Sequence, residues 1–178
     1  VAVAVACRDG ALLAAIDGLG HGHAAGESAE RAAALLAAQP DEPLVALMQR
    51  CHVALGETRG AALVVARIDA RAATLTWLGI GNVAGLLVPA DESRPSPGVI
   101  QLAGVVGQQL PQLVPAEIAL TPGDTLLLAT DGVTPEVADG VRVRGALGPL
   151  AAGLLQRHRS RAEDDALVLL ARFAPARR

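Results

Sequence analysis

The chain is almost without aromatic side chains. Its 178 residues include one Trp, one Phe and no Tyr, so no row of flat rings exists to stack nucleobases. Lysine is missing altogether. All 15 cations are Arg, set against 18 Asp and Glu for a formal charge of -3, and no basic block stands out to follow a nucleic-acid backbone. Cysteine is reduced to Cys7 and Cys51, each alone in an apolar segment with no C-x-x-C. That usage fits buried, reduced thiols of a cytosolic protein and excludes a disulfide framework. Long apolar runs are lacking as well. Arg8 and Asp9, Asp17, and Arg67 with Asp69 interrupt them before the roughly 20 residues that a membrane span requires. No signal peptide opens the chain, which begins at Val1 and not at Met. The expectation is a soluble cytoplasmic domain, cut from something longer.

What is present is apolar surface. Hydrophobic residues make up 52% and charged residues 19%, with a mean hydropathy of +0.40. That is enough to offset the entropy of ordering the chain, which excludes disorder as the dominant state. The length suits one continuous core. We expect a single domain over residues 1–174, with 175–178 as a tail.

Val1–Cys7 and Ala11–Ile16 read as two strands. Asp9-Gly10 between them is the preferred pair for a two-residue type I′ hairpin, which would set Arg8 against Ala11 and Asp17 against Ala2. After a glycine-rich turn, Ala24–Ala38 favours helix through its Ala, Leu, Glu and Arg content. Pro40 and Pro43 end it, and Leu44–Leu55 reads as a second helix. Six short apolar or alternating runs follow: Ala61–Ile68, Thr74–Leu78, Val83–Val88, Val99–Leu102, Glu117–Leu120 and Thr125–Thr130. Gly, Pro, Asn and Asp punctuate them as in an antiparallel meander. Val143–His158 reads as a third helix and Ala166–Phe173 as a last strand. The order does not alternate as βαβ units, so the fold class is α+β, with antiparallel sheets covered by helices.

Three acidic positions share one context. Asp17-Gly18 ends the second apolar run, Asp131-Gly132 follows Thr125–Thr130, and Asp164-Asp165 immediately precedes the last strand. Singly, each Asp-Gly reads as a turn. Gathered at the edges of one sheet system, such carboxylates repel one another and hold protons unless a cation neutralises them. Oxygen ligands with no thiolate and little imidazole suit Mg²⁺ or Mn²⁺, not Zn²⁺. Two such ions about 4 Å apart, with a water activated between them, are suited to in-line hydrolysis of a phosphoester.

Two rival motifs are weaker. Gly20-His21-Gly22-His23-Ala24-Ala25 fits the G-x-G-x-x-A spacing of a dinucleotide loop. Its helix, however, leads into another helix and not into a parallel strand ending in an acid. His21-x-His23 has the look of a zinc pair but lacks a third ligand. His52, in an apolar helix, and His158, near a basic helix end, read as structural.

In order along the chain stand DGLGHG at Asp17–Gly22, TRGAAL at Thr58–Leu63, GIGNV at Gly79–Val83, ATDGV at Ala129–Val133 and EDDALVLLAR at Glu163–Arg172. In that order they resemble the metal-dependent protein Ser/Thr phosphatase (PPM, type 2C) superfamily. Within it, the chain is most similar to the SpoIIE branch and its RsbX-like phosphatases of stress signalling. The resemblance spans almost the whole chain. It implies an αββα sandwich of two antiparallel β-sheets flanked by helices, with two Mn²⁺ or Mg²⁺ ions at one edge. Carried over by motif, Asp17 would bridge both ions and the Gly18 carbonyl would ligate one. Asp131 and Asp164 would hold the other, Asp165 replacing Asp164 if the register slips by one. Asp17, Asp131 and Asp164 would thus carry catalysis through a metal-activated water. Arg59, Asn82 and His21 are candidates for substrate contact. For Arg59, bidentate binding of a phosphate and a structural role stand open together.

Two positions depart from the family pattern. Members carry a Gly-Asp just upstream of the first strand, whose carboxylate holds the second metal through water; this sequence begins inside that strand, and Asp9 lies at the far turn. Leu167 stands where Thr usually follows the terminal Asp-Asp-Ala. The resemblance implies a phosphoserine/phosphothreonine protein phosphatase whose partner is a phosphorylated STAS-domain, anti-anti-sigma type protein of a partner switch or stressosome. The alternative is a weakly active or inactive phosphatase-like domain that binds such a partner, as part of a fused kinase-phosphatase switch protein.

Overall fold

Alternating apolar side chains build the strands, and in several of them both faces are buried. The computed structural model describes residues 1–138, 141–160 and 165–174. In it β1 (Ala2–Cys7), β2 (Gly10–Gly18), β3 (Ala61–Asp69) and β4 (Thr74–Ile80) pair antiparallel in that order. A second sheet has the order β5 (Ala84–Val88), β8 (Thr125–Ala129), β9 (Val168–Arg172), also antiparallel. Two short strands complete the first sheet along β4: β6 (Gln101–Leu102) and β7 (Ala116–Ala119). Helices α1 (His23–Ala38) and α2 (Leu44–Ala54) cover one outer face, and α3 (Leu147–His158) covers the other.

The period-2 pattern sorts the strand residues between layers. Leu12, Ala14 and Ile16 of β2, with Leu63 and Val65 of β3, pack against Ala32, Leu36, Leu47 and Met48 of α1 and α2. Their neighbours Leu13, Ala15, Val64 and Ala66 point the other way, to meet Trp77, Leu126, Leu128 and Phe173 between the sheets. Leu127 and Ala129 of β8 then face outward beneath Leu150 and Leu154 of α3. The layers therefore run helix, sheet, sheet, helix, the αββα sandwich that the sequence motifs imply. Both cysteines are free. Burial pushes the Cys51 thiol up to about 11, so it stays protonated and inert. No described helix is long and apolar enough to cross a membrane.

Three local expectations fail for identifiable reasons. The first hairpin pairs Cys7 with Gly10 and Ala2 with Ala15, two residues away from the Asp-Gly register, and neither Asp9 nor Gly10 takes a positive φ. Gly10 serves within β2 instead, where a Cβ would lie 1.9 Å from the Ile68 carbonyl oxygen of β3. The run of strands after Ala61 is not one meander: β5 leaves for the second sheet, and the chain returns through a Pro-rich loop to place β6 parallel to β4. Helix α3 begins at Leu147, not at Val143, because Gly145 adopts a left-handed φ of 76° that breaks the helical path.

Trp77 is 1% exposed and fills the space between the sheets. We predict that Trp77→Ala lowers unfolding free energy by about 3–5 kcal/mol, read from urea titrations followed by circular dichroism. A change well below 1 kcal/mol would mean that the sheets do not close on this residue.

Candidate metal and phosphate cleft

β2 and β8 lie in facing sheets, and both run out at the same edge of the sandwich. Asp17 is the penultimate residue of β2, and Asp131 follows two residues after the end of β8. Their carboxyl groups lie close enough for Asp131 to raise the pKa of Asp17. Asn82, in the turn before β5, donates from its Nδ2 to Asp131 Oδ2 at 2.7 Å. Asp165 arrives from the segment leading into β9 and lines the same cleft. The enclosed space is about 790 Å³. Its walls include Asp17, Gly18, His21, Asn82, Thr130, Asp131, Asp165 and Leu167, with Gly22, Ala25, Gly26 and Ala29 from the start of α1.

Small residues allow this convergence. A Cβ on Gly18 would fall 1.9 Å from the Ala25 carbonyl oxygen, and one on Gly132 would fall 2.2 Å from that of Asp165. Each glycine that follows a cleft carboxylate is therefore a point where two backbones cross too closely for any side chain. Thr130 ties β8 to the approach of β9: its N–H donates to the Leu167 carbonyl at 3.2 Å, and its hydroxyl accepts the Leu167 N–H at 3.0 Å. This clasp uses only the Leu167 backbone, so it tolerates the departure from Thr at that position.

The electrostatics are one-sided. Asp17, Asp131 and Asp165 line the cleft, whereas no arginine does so among the described residues. Burial, followed by the hydrogen bond and charge of Asp131, raises the Asp17 carboxyl from 3.8 to about 6, with the chain's amino group opposing the shift and Asp165 adding to it. An acid in that position is a carboxylate in need of a cation. Among the described residues, no three His, Cys, Asp or Glu side chains already stand grouped to hold an ion. Asp164 lies outside the described residues. The carboxylates of Asp17, Asp131 and Asp165 dominate the possible ligands, with His21 the one imidazole on the rim, and that oxygen-rich chemistry fits Mg²⁺ or Mn²⁺.

The candidate substrate residues separate. His21 is exposed on the rim of the cleft. Asn82 points at Asp131 and holds its carboxylate. Arg59 does not line the cleft; its guanidinium lies behind the DGLGHG loop, where a Cβ on Gly20 would be 2.7 Å from Arg59 Nη1. The Thr58-Arg59-Gly60 turn steadies that loop. The Thr58 hydroxyl donates to the Leu55 carbonyl at 2.8 Å and accepts the Gly60 N–H at 3.0 Å, and the Gly60 carbonyl accepts the Leu19 N–H at 3.0 Å. His23 is exposed and stands 3.9 Å from Glu27. His52 Nδ1 accepts the Gly107 N–H at 3.0 Å, a structural bond. Because β2 pairs antiparallel with both neighbours, the glycine loop belongs to no βαβ unit, which removes the dinucleotide reading. Sequence reasoning missed Thr130 and the small-residue wall of α1. The spacing Gly22, Ala25/Gly26, Ala29 was the available signal for the wall.

Comparison with solved structures establishes the class first. A chain from work on the bacterial stressosome, described as a modular system adapted to control secondary messenger signaling, superposes with a TM-score of 0.87 at 26% identity, covering 97% of this chain and 90% of that one. RsbX in complex with magnesium gives 0.86 at 20% identity, over 98% and 86%. The PP2C phosphatase domain of the cell fate determinant SpoIIE from Bacillus subtilis, solved with a fragment of its regulatory domain, gives 0.71 at 17%, over 96% and 58%. The fold is thus that of the PP2C-type phosphatases. No curated protein matches the chain by sequence. The family model for stage II sporulation protein E matches residues 8–174, and the chain belongs to the SpoIIE family.

The raised pKa of Asp17 fixes a sign. A folded-state value above the unfolded one contributes stability that is fully present below 3.8 and is lost as pH rises through about 6. In metal-free buffer, Asp17→Asn should therefore melt above the parent at about pH 7, and the gap should close towards about pH 4. Thermal melts across that range check it; a gap independent of pH would show that Asp17 is not held in its acid form.

Proposed function

We propose that this protein is a divalent-metal-dependent phosphoserine/phosphothreonine protein phosphatase acting on a phosphorylated STAS-domain, anti-anti-sigma type protein of a bacterial stress pathway. The observation that carries the reading is the convergence of Asp17, Asp131 and Asp165, brought from two sheets into one cleft lined by no described arginine. Membership of the SpoIIE family and the fold shared with RsbX support it, and the stressosome chain supports the class of partner.

Asp17, the Gly18 carbonyl and Asp131, with Asp164 or Asp165, would hold two Mn²⁺ or Mg²⁺ ions. When bound, such ions supply a lowered pKa for water and a countercharge for the phosphoryl oxygens. The remaining work belongs to the chain. Asn82 fixes the orientation of the Asp131 carboxylate, as outer hydrogen bonds do for metal ligands generally. Helix α1 starts beside the cleft with no side-chain cap and no acid in its first turn. Its free N–H groups and positive dipole end favour a phosphate there. Gly22, Ala25, Gly26 and Ala29 keep that wall low enough for a phosphorylated side chain to enter. His21 on the rim is placed to meet the segment that carries the phosphate, and Arg59 steadies the loop from behind.

The test is hydrolysis of p-nitrophenyl phosphate and of a phosphoserine STAS-domain protein, with and without Mn²⁺. Activity should require the metal, and Asp17→Asn and Asp131→Asn should each lower kcat/KM by about a hundredfold or more. Equal rates in all three proteins would defeat the catalytic reading. Tight, metal-independent binding of the phosphoprotein without phosphate release would identify a regulatory domain instead.

Asn82→Ala separates positioning from substrate contact. If Asn82 orients Asp131, the variant should need about tenfold or more Mn²⁺ for half-maximal rate. A raised KM with an unchanged metal requirement would place Asn82 on the substrate.

A further inference from the structure

The other end of the second sheet has the opposite charge. There β5 leaves at Val88, β8 is entered from Gly123 and β9 leaves at Arg172, and with the segment Val141–Gly145 these turns enclose a cavity of about 500 Å³. Its charged lining is Glu92, Arg94, Arg142, Arg144 and Arg172. Strand β8, five residues long, separates it from the acidic cleft by about 17 Å at ~3.4 Å per residue.

One of these arginines is structurally spent. Asp124, fully buried, accepts the N–H groups of Ala90 and Thr121, each at 2.9 Å. Arg94 Nη1 completes that knot, at 3.2 and 3.1 Å from the two carboxylate oxygens and 2.6 Å from Thr121 Oγ1. The other three arginines are not spent in this way. Among the described residues, Glu92 is the only carboxylate set against Arg144, at 2.7 Å, and Arg142, at 3.6 Å. Those two side chains stay 75% and 68% exposed. The main chain of Arg172 pairs with Thr125 of β8, while its side chain makes no hydrogen bond or ion pair among the described residues. Three guanidinium groups facing one carboxylate is an unexpected concentration in a chain whose formal charge is -3. Their mutual repulsion works against this arrangement of loops, and an added anion relieves it. Guanidinium groups bind carboxylate and phosphate oxygens in pairs.

We propose that this cavity binds a small polyanion carrying two or more phosphate or carboxylate groups, with Arg142, Arg144 and Arg172 as its ligands. A concave space of this volume matches a compact ligand. The ligand is not a nucleoside held by stacking, since the two aromatic side chains of the protein, Trp77 and Phe173, are both buried.

Calorimetric titration of the metal-free protein at low salt, with inorganic tripolyphosphate in one arm and citrate in the other, tests this. At least one anion should saturate a single site, and the two arms separate phosphate from carboxylate recognition. Arg144→Gln combined with Arg172→Gln should weaken binding by about tenfold or more, as should Arg142→Gln combined with Arg172→Gln, with circular dichroism confirming that each variant folds. Asp131→Asn should bind as the parent does. The proposal is overturned if neither anion saturates, or if Asp131→Asn loses binding as the arginine variants do.

Discussion

Two carboxyl groups that repel one another are held in contact at one edge of the sandwich, and much of the local structure exists to keep them there. Asp17 and Asp131 are far apart in the chain and belong to different sheets. Their contact depends on the inter-sheet core, because only the packing of Leu13, Val64, Trp77 and Leu128 fixes how β2 lies over β8. The unfavourable part is small beside that burial: each fully buried aliphatic side chain contributes about 1.5–3 kcal/mol. A hydrophobic core can therefore hold a locally strained electrostatic arrangement in place, with the strain left for a ligand to relieve.

The supporting details point the same way. Gly18 and Gly132 remove the two side chains that would push α1 and the Asp165 segment outward. Thr130 joins β8 to the entry of β9 through the main chain of Leu167. The Thr58 turn pins the loop after Asp17 through Gly60. None of these residues needs to touch a substrate. Their common effect is to reduce the freedom of groups that do face the cleft, and precise positioning of such groups is where rate is gained or lost.

Much of this was legible in the sequence, and the parts that were not share a cause. Strand and helix positions followed from apolar periodicity and from Gly and Pro punctuation, both of which are local signals. The meeting of Asp17 and Asp131 was legible only through the order of short motifs, since neither carboxylate says which sheet it will join. The first hairpin was misread because Asp9-Gly10 is a good turn pair in isolation, whereas Gly10 is required by the approach of β3, which starts some 50 residues later. The parallel pairing of β6 with β4 and the late start of α3 were likewise decided by long-range packing and by one left-handed glycine. The Asn82 bond to Asp131 spans 49 residues, and no local pattern announces it.

The second sheet carries its charges at its two ends, and this follows from how it is built. β8 is short and buried on both faces, and the only ionised side chain within the three strands is Arg172, at the exposed end of β9. The other acids and bases lie in the turns, and an antiparallel three-strand sheet has turns at only two edges. Asp131, Asp165 and Asn82 fall at one; at the other Arg94, Arg142, Arg144 and Arg172 outnumber Glu92 and Asp124. The imbalance of sign between the ends is not forced by that geometry, since evenly balanced ends would be electrostatically easier. An acidic end suits cations and a basic end suits anions, so a fold that keeps them apart is suited to binding one of each without mutual neutralisation.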